Sequence, residues 1–352
     1  MGSRISIHVD VQTINKYGYQ VVRLSQTLTT TFKGEPMSLT VGSLYAGVGG
    51  IELAFQQAGA SLLWAYEIDP HAVATYRANF THHPVIEADI AQAEPPSYVD
   101  ILTAGIPCQP FSVASSKARG FADTRGTAFY DVMRFADAVQ PQIIFIENVK
   151  NFLRHDGGRT FDTVHRTMEN HGYRVFHTVL NSCHATPIPQ NRERTFIIGF
   201  RDSQYYDRFT GEYDSQLCKP PPKRQAWSEL LEGEPVAERY YYRENRPCYR
   251  ELAAGVTSAD IMYQWRRTYV RQNKRGLCPT LTANMGTGGH NVPIIRVEDG
   301  IRKLTPRECF NFQGFPDTFQ LPSSTADCHL YKQAGNSVTV PTVYKLAECL
   351  TT

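Results

Sequence analysis

Short continuous apolar runs alternate along the chain with stretches of helical spacing. Leu39-Thr40-Val41-Gly42-Ser43-Leu44, Leu62-Leu63-Trp64-Ala65-Tyr66, Val85-Ile86-Glu87-Ala88, the run Tyr98 to Thr103, and Ile143-Ile144-Phe145-Ile146 each read as a strand. After the first of these, Ile51, Leu53, Ala54, Phe55 and Ala58 recur as on one face of a helix. The last helix-like segment runs from Val338 to Leu350. Residues 1–38 alternate weakly (Ile5, Ile7, Val9, Val11; Val21, Val22, Leu24) and read either as two short strands or as an arm, an N-terminal extension without assigned chemistry. The dominant pattern predicts an α/β fold with a mostly parallel sheet.

Chemistry gathers where the strands end. A strand, the turn Tyr45-Ala46-Gly47-Val48-Gly49-Gly50 and a helix, in that order, set backbone N–H groups and a helix N-terminus against a ligand. The dinucleotide fingerprint is incomplete, because Glu52 stands where the third glycine would be, and a phosphate is poorly served beside a carboxylate. Glu67 follows twenty residues after Gly47, where Rossmann-like folds hold ribose hydroxyls. Asp89, ending the third run, offers a second acceptor. A nucleoside cofactor without phosphates fits these groups better than a dinucleotide, although each acid taken singly reads equally as a solvated strand end. In Ala104-Gly105-Ile106-Pro107-Cys108-Gln109-Pro110-Phe111-Ser112 a cysteine follows a rigid proline as a strand gives way to a loop. Alone, Cys108 reads as a small packed hydrophobe; the surrounding strand ends point to a nucleophile instead.

Composition narrows the field without deciding it. The 352 residues are 41% hydrophobic, enough for a real core in one large domain or two. A net charge of +2 means that any nucleic-acid surface depends on local clustering of charge. Eight cysteines without a CxxC pair or a His/Cys metal spacing argue for a reduced intracellular protein without structural zinc. No apolar run approaches the ~18 residues of a membrane span.

The motifs, in their order, resemble those of the DNA (cytosine-5)-methyltransferase family of the bacterial restriction-modification type, from about Leu39 to the C-terminus. Tyr45 to Gly50 resembles the S-adenosyl-L-methionine loop, with Tyr where the family usually has Phe; Glu67, Ile68, Asp89 and Ile90 resemble the residues around ribose and adenine. Pro107-Cys108-Gln109 matches the nucleophile motif, Glu147-Asn148-Val149 the acid motif, and Gln190-Asn191-Arg192-Glu193-Arg194 the double-arginine motif. Arg302 to Cys309 with Gln313-Gly314-Phe315-Pro316, and Gly335-Asn336-Ser337-Val338, resemble the closing motifs, which puts Asn336 and Ser337 near the cofactor. The resemblance implies a Rossmann-like S-adenosylmethionine-dependent domain and a smaller, irregular, mainly β target-recognition domain. It implies that Cys108 attacks C6 of a flipped-out cytosine, that Glu147 serves N3, and that Arg194, with Arg192, contacts O2 or the adjoining phosphate. The products are 5-methylcytosine and S-adenosyl-L-homocysteine, and no metal is implied.

The same resemblance divides the chain into 39–200 plus 330–352 as the catalytic and cofactor domain, 201–305 as the recognition domain, and 306–329 as a connecting segment. Ser112 to Arg125 reads as a lid, with Ser112, Lys117 and Arg125 toward DNA, and Lys117 equally as a solvated residue. Between Arg239 and Arg275, nine Lys/Arg face three acids among many tyrosines, which suits double-stranded DNA. Within that tract Gln264, Arg266, Arg267 and Tyr269, followed by Thr282 of the Thr-Leu motif, are the expected DNA contacts, Gln264 filling the space of the flipped base. A monomer in the bacterial cytoplasm, at the nucleoid, is the expected setting, either standing alone or with a cognate restriction endonuclease acting separately. The rivals are a tRNA cytosine-5 methyltransferase and a non-enzymatic DNA-binding regulator on the same scaffold.

Overall fold

Each of the five apolar runs contains a strand, and they lie side by side, the central ones because both of their faces are apolar and the third, Val85–Glu87, as the more exposed edge. The computed structural model describes residues 38–107, 128–217, 219, 223–233, 235–287 and 291–351. In chain order, β1 (Thr40–Leu44), α1 (Gly50–Gln57), β2 (Ser61–Glu67), α2 (Pro70–Asn79) and β3 (Val85–Glu87) precede β4 (Ile101–Gly105), α3 (Ala128–Val139) and β5 (Ile143–Val149). Then come α4 (Arg159–Asn170), β6 (Arg174–Asn181), the single turn α5 (Ser182–Ala185), β7 (Gln190–Asn191), β8 (Glu193–Phe200) and α6 (Ser203–Leu217). The seven-stranded sheet has the order β3-β2-β1-β4-β5-β8-β6. Its first five strands are parallel, and β8 runs antiparallel to both neighbours. The chain leaves β1 toward β2 and β3 on one side and returns to β4 on the other. A crevice therefore opens at the carboxyl ends of β1 and β4, where open α/β sheets bind ligands.

Side-chain alternation explains why the sheet is covered twice. Along β5, Ile143 and Phe145 join one core, with Phe55 of α1, while Ile144 and Ile146 join the other, with Phe129, Phe135 and Ala136 of α3. The run beginning at Tyr98 becomes a strand only at Ile101. Tyr98 is half exposed, and its hydroxyl donates to Asp100, whose other carboxylate oxygen accepts from the Thr40 amide at 2.8 Å.

The remaining chain adds β9 (Tyr241–Tyr242), α7 (Tyr249–Gly255), β10 (Tyr263–Trp265), β11 (Val270–Gln272), β12 (Cys278–Pro279), β13 (Ile294–Val297) and β14 (Gly300–Lys303). It closes with α8 (Pro306–Asn311), α9 (Asp327–Asn336) and α10 (Val340–Thr351). Five strands form a second, antiparallel sheet of order β11-β10-β13-β14-β9 with its own small core of Leu252, Val256, Tyr263, Ile294 and Ile301. A bidentate, fully buried pair, Arg302 to Glu308 at 2.8 Å on both arms, ties β14 to α8. α10 returns to pack on α1, where the Thr351 hydroxyl donates to the Ala58 carbonyl at 2.9 Å, so the end of the chain supports its first helix. No helix among the described residues is long and apolar enough to cross a membrane.

Between these parts lies a buried polar knot. β12 pairs in parallel with β7, the Thr280 hydroxyl donates to Asn191 O at 2.6 Å, and the Leu281 amide to Gln190 Oε1 at 3.2 Å. Gln190 Nε2 in turn donates to Phe312 O at 2.7 Å and Gln313 Oε1 at 3.0 Å. The Arg192 guanidinium donates to Leu281 O (2.6 Å), Gly335 O (3.2 Å) and Ser337 O. This corrects the expectation that Arg192 touches substrate. It is 1% exposed, and burial and the Arg194 charge work against its charged form, so its donors are committed to carbonyls inside the protein. Arg192→Ala would leave the Leu281 and Gly335 carbonyls without this donor, and the expected loss of stability is roughly 3 kcal/mol or more. Urea unfolding monitored by tryptophan fluorescence would measure it; a loss below about 1 kcal/mol would contradict the assignment.

Candidate active site

At the β1 end of the crevice the backbone turns sharply, with positive φ at Tyr45 (56°), Gly47 (58°) and Gly49 (91°). Gly49 is required twice over, since a Cβ there would collide with the Phe80 ring. A Cβ on Gly50 would lie 2.5 Å from Ser337 Oγ, so the loop closes against the residue that caps α9. Gly47 differs: a Cβ there meets nothing within 4 Å, which leaves room for a ligand directly against the backbone. Its amide donates to Glu67 Oε2 at 2.8 Å, while Glu67 Oε1 accepts from the amides of Ile68 (2.9 Å) and Asp69 (2.8 Å). Glu67 is thus held in place by three backbone donors at the β2 end.

Beside this acid, Ile68 is 60% exposed, an apolar surface at the mouth of the crevice. Asp89 is exposed, with Oδ1 accepting from the Ala91 amide at 3.0 Å, and Ile90 is buried beneath. Asn336 is exposed at the end of α9, and Ser337 is partly covered, its Oγ lacking a hydrogen-bond partner. Burial and then the carboxylates of Asp131, Asp89 and Glu67 push the Tyr45 phenol pKa well up, against the Arg134 charge. The open space over Gly47, a fixed acid and an exposed isoleucine suit an uncharged nucleoside better than a phosphate. Among the described residues no group of three or more His, Cys, Asp or Glu could hold a metal ion.

At the β4 end, register does the positioning. Gly105 of β4 lies opposite Glu147 of β5, and Glu147 lies opposite Phe196 of β8 with Arg194 two residues along on the same face. That diagonal brings Arg194 Nε to 2.9 Å from Glu147 Oε1, in a pair with side chains 14% and 10% exposed. Asn148 points the other way along the strand end, donating to Ile106 O at 3.4 Å and so holding the segment that leads to the exposed Pro107. Cys108 follows directly, but it lies outside the described residues, as do Ser112, Lys117 and Arg125.

The recognition tract is a hairpin. β10 and β11 pair in antiparallel register, and the Arg266 amide closes the turn on Tyr269 O at 2.9 Å. Arg267, at φ 67°, and Tyr269, 58% exposed, sit at the tip. Arg266 Nη1 donates to Asn291 Oδ1 at 2.7 Å. Gln264 is 6% exposed, and its amide donates to Asn291 O at 3.2 Å at the base of the hairpin. Thr282 is exposed next to α9, where a Cβ on Gly335 would overlap its backbone.

The sequence did not single out Asp131 or Arg134, nor the role of Gln313, because their partners lie far away in the chain. Glu52 was visible only as a misfit in the glycine pattern. It is 1% exposed and no hydrogen bond of ordinary geometry reaches its carboxylate oxygens, although the Ser43 hydroxyl, paired with Thr103, and the helix backbone lie close enough to favour its charged form. Burial, and next the charge of Glu67, raise its pKa from 4.5 to about 7. A raised folded-state value means stability present at pH 4.5 and below, lost as pH rises through about 7. Glu52→Gln should therefore match the wild type in thermal midpoint near pH 4.5 and exceed it at pH 8, by roughly 3 kcal/mol in unfolding free energy. Parallel pH profiles for the two proteins would show that Glu52 is not the buried acid described.

Residues 39–352 match the family of C-5 cytosine-specific DNA methylases. The chain is 46% identical over 316 residues to the type II methyltransferase M.Bsp6I of Bacillus sp. (strain RFL6), covering 88% of this chain and 98% of the relative. It is 35% identical over 319 residues to the type II methyltransferase M.HhaI of Haemophilus parahaemolyticus, covering 86% and 91%. The crystal structure of S. pombe Dnmt2 methyltransferase superposes with a TM-score of 0.66 at 20% identity, over 89% of this chain and 98% of that one, a likeness of fold.

Proposed function

The chain belongs to the C-5 cytosine-specific DNA methylase family and is a sequence-specific DNA (cytosine-5)-methyltransferase of the restriction-modification type, and from that premise we propose how its residues divide the work. Residues 39–200 with 330–352 carry the chemistry, 201–305 read the DNA, and 306–329 connect them. Tyr45, Gly47, Gly49, Gly50, Glu67, Ile68, Asp89, Ile90, Pro107, Asn336 and Ser337 surround S-adenosyl-L-methionine. Glu67 accepts from the ribose hydroxyls, Ile68 covers one face of adenine and Asp89 accepts from its amino group. The cofactor, when bound, supplies an electrophilic methyl group.

Cytosine C5 is a poor nucleophile, and the target base must leave the stack before any side chain can reach it. The Cys108 thiolate adds to C6, which turns C5 into an enamine-type carbon. Electron density then moves to N3 and O2. Glu147 holds a proton at N3, and Arg194, which fixes Glu147, stabilises the charge at O2. After C5 has gained its methyl group, loss of the C5 proton and departure of the Cys108 sulfur restore the aromatic ring. Arg266, Arg267 and Tyr269 at the hairpin tip, Thr282, and the loop residues Ser112, Lys117 and Arg125 contact the duplex. The enzyme acts as a monomer in the bacterial cytoplasm at the nucleoid, and a cognate restriction endonuclease acts separately on the same sequence.

The observation that carries this reading is the mostly buried Glu147–Arg194 pair on β5 and β8, with Glu147 opposite Gly105, two residues before Pro107. Bisulfite sequencing of plasmid DNA from cells expressing the wild type, Cys108→Ser and Glu147→Gln tests it. Methylated cytosines confined to one short motif are expected with the wild type, none with Cys108→Ser, and at least a hundredfold slower accumulation with Glu147→Gln, within the usual worth of general acid–base catalysis. No methylation of DNA by any of the three would favour a tRNA substrate or a regulator on this scaffold.

A further inference from the structure

Glu52 occupies the third position of α1, the helix whose first turn closes the glycine loop, and it is sealed from solvent. Among the described residues no cation is paired with its carboxylate. β1 and β4 contribute the hydroxyls of Ser43 and Thr103, which bond each other, and Ser43 partly offsets the burial of the Glu52 charge. β2 contributes Glu67, whose like charge acts on Glu52, and α2 contributes the Tyr76 phenol, on which Glu52 acts in turn. α10 covers α1 with apolar Val343, Leu346, Ala347 and Leu350. An isolated carboxylate in such surroundings is costly unless it is neutralised by a proton or by a cation. At the same glycine loop the charges of Asp131, Asp89 and Glu67 act on Tyr45 against that of Arg134, so among the described residues the field of the crevice favours positive charge in a ligand.

The proposed cofactor and its product differ in this property. S-adenosylmethionine carries a sulfonium cation, S-adenosylhomocysteine an uncharged thioether, and the rest of the two molecules is the same. We propose that Glu52 is a proton-linked counter-charge for the sulfonium: it holds a proton while the crevice contains no cation and releases that proton to water when the cationic cofactor enters. Methyl transfer removes the cation, the carboxyl takes a proton back, and the hold on the product weakens. Glu52 acts here as a positioning charge and touches neither reacting carbon. Its raised proton affinity, set by burial and by Glu67, puts the exchange near neutral pH. The inference rests on reading the Tyr45–Gly50 loop as the cofactor site.

Isothermal titration of the full-length protein with each compound between pH 6 and pH 8, in buffers of different ionisation enthalpy, tests it. S-adenosylmethionine affinity should rise about tenfold over that range with release of a fraction of a proton, and S-adenosylhomocysteine affinity by less than about twofold. In Glu52→Gln the two profiles should run parallel. Equal pH dependence for both compounds in the wild type, or a difference that persists in Glu52→Gln, would overturn the role of Glu52 while leaving the cofactor site intact. Binding of neither compound at any pH would overturn the cofactor reading and this inference with it.

Discussion

A guanidinium buried between three carbonyls holds the molecule together at its functional end. Arg192 joins Leu281 to Gly335 and Ser337, so that with its own strand three segments far apart in the chain meet at one side chain. Around it Gln190 donates to Phe312 O and accepts from the Leu281 amide, while Gln313 donates to Ala334 O and accepts from the Thr339 hydroxyl. Buried donors and acceptors of this kind are expensive to leave unpaired, so the knot forms only when every segment is in place. Because Ser337 also backs the Gly50 turn, the closing motif, the double-arginine motif and the glycine loop are positioned by one network.

That arrangement lets two chemically different sites share one sheet edge. On the β1 and β2 side, a turn with room against its backbone and a triply anchored Glu67 suit a neutral ribose, while surrounding acids favour positive charge. On the β4 and β5 side, Arg194 screens Glu147 and faces the place where a pyrimidine's charge would build. The strand order sets them at the ends of adjacent strands, β1 and β4, on the two sides of the switch point.

Much of this was legible in the sequence because it depends on local order. Strand ends at Leu44, Glu67, Gly105 and Glu147 follow from apolar runs, and their motifs name the family. Pairing over long distances was not legible. Arg192 and Arg194 are two residues apart, which on a continuous strand would set them on one face. The break between β7 and β8 turns Arg192 inward and leaves Arg194 at the crevice. The bond from the Gln264 amide to Asn291, in a distant segment, does not follow from spacing alone. Glu52 registered only as a departure from a glycine motif, since burial depends on the helices that later pack over it.

The claim most central to this account is that Cys108 forms a covalent bond to the target base. Duplex DNA carrying 5-fluorocytosine at the methylated position tests it directly, because after methylation there is no C5 proton to lose and the adduct cannot release its sulfur. Incubation with S-adenosylmethionine followed by proteolysis and mass spectrometry should recover the modified nucleotide on the peptide containing Cys108. An adduct on any other residue, or its absence while ordinary duplex is methylated, would contradict the account.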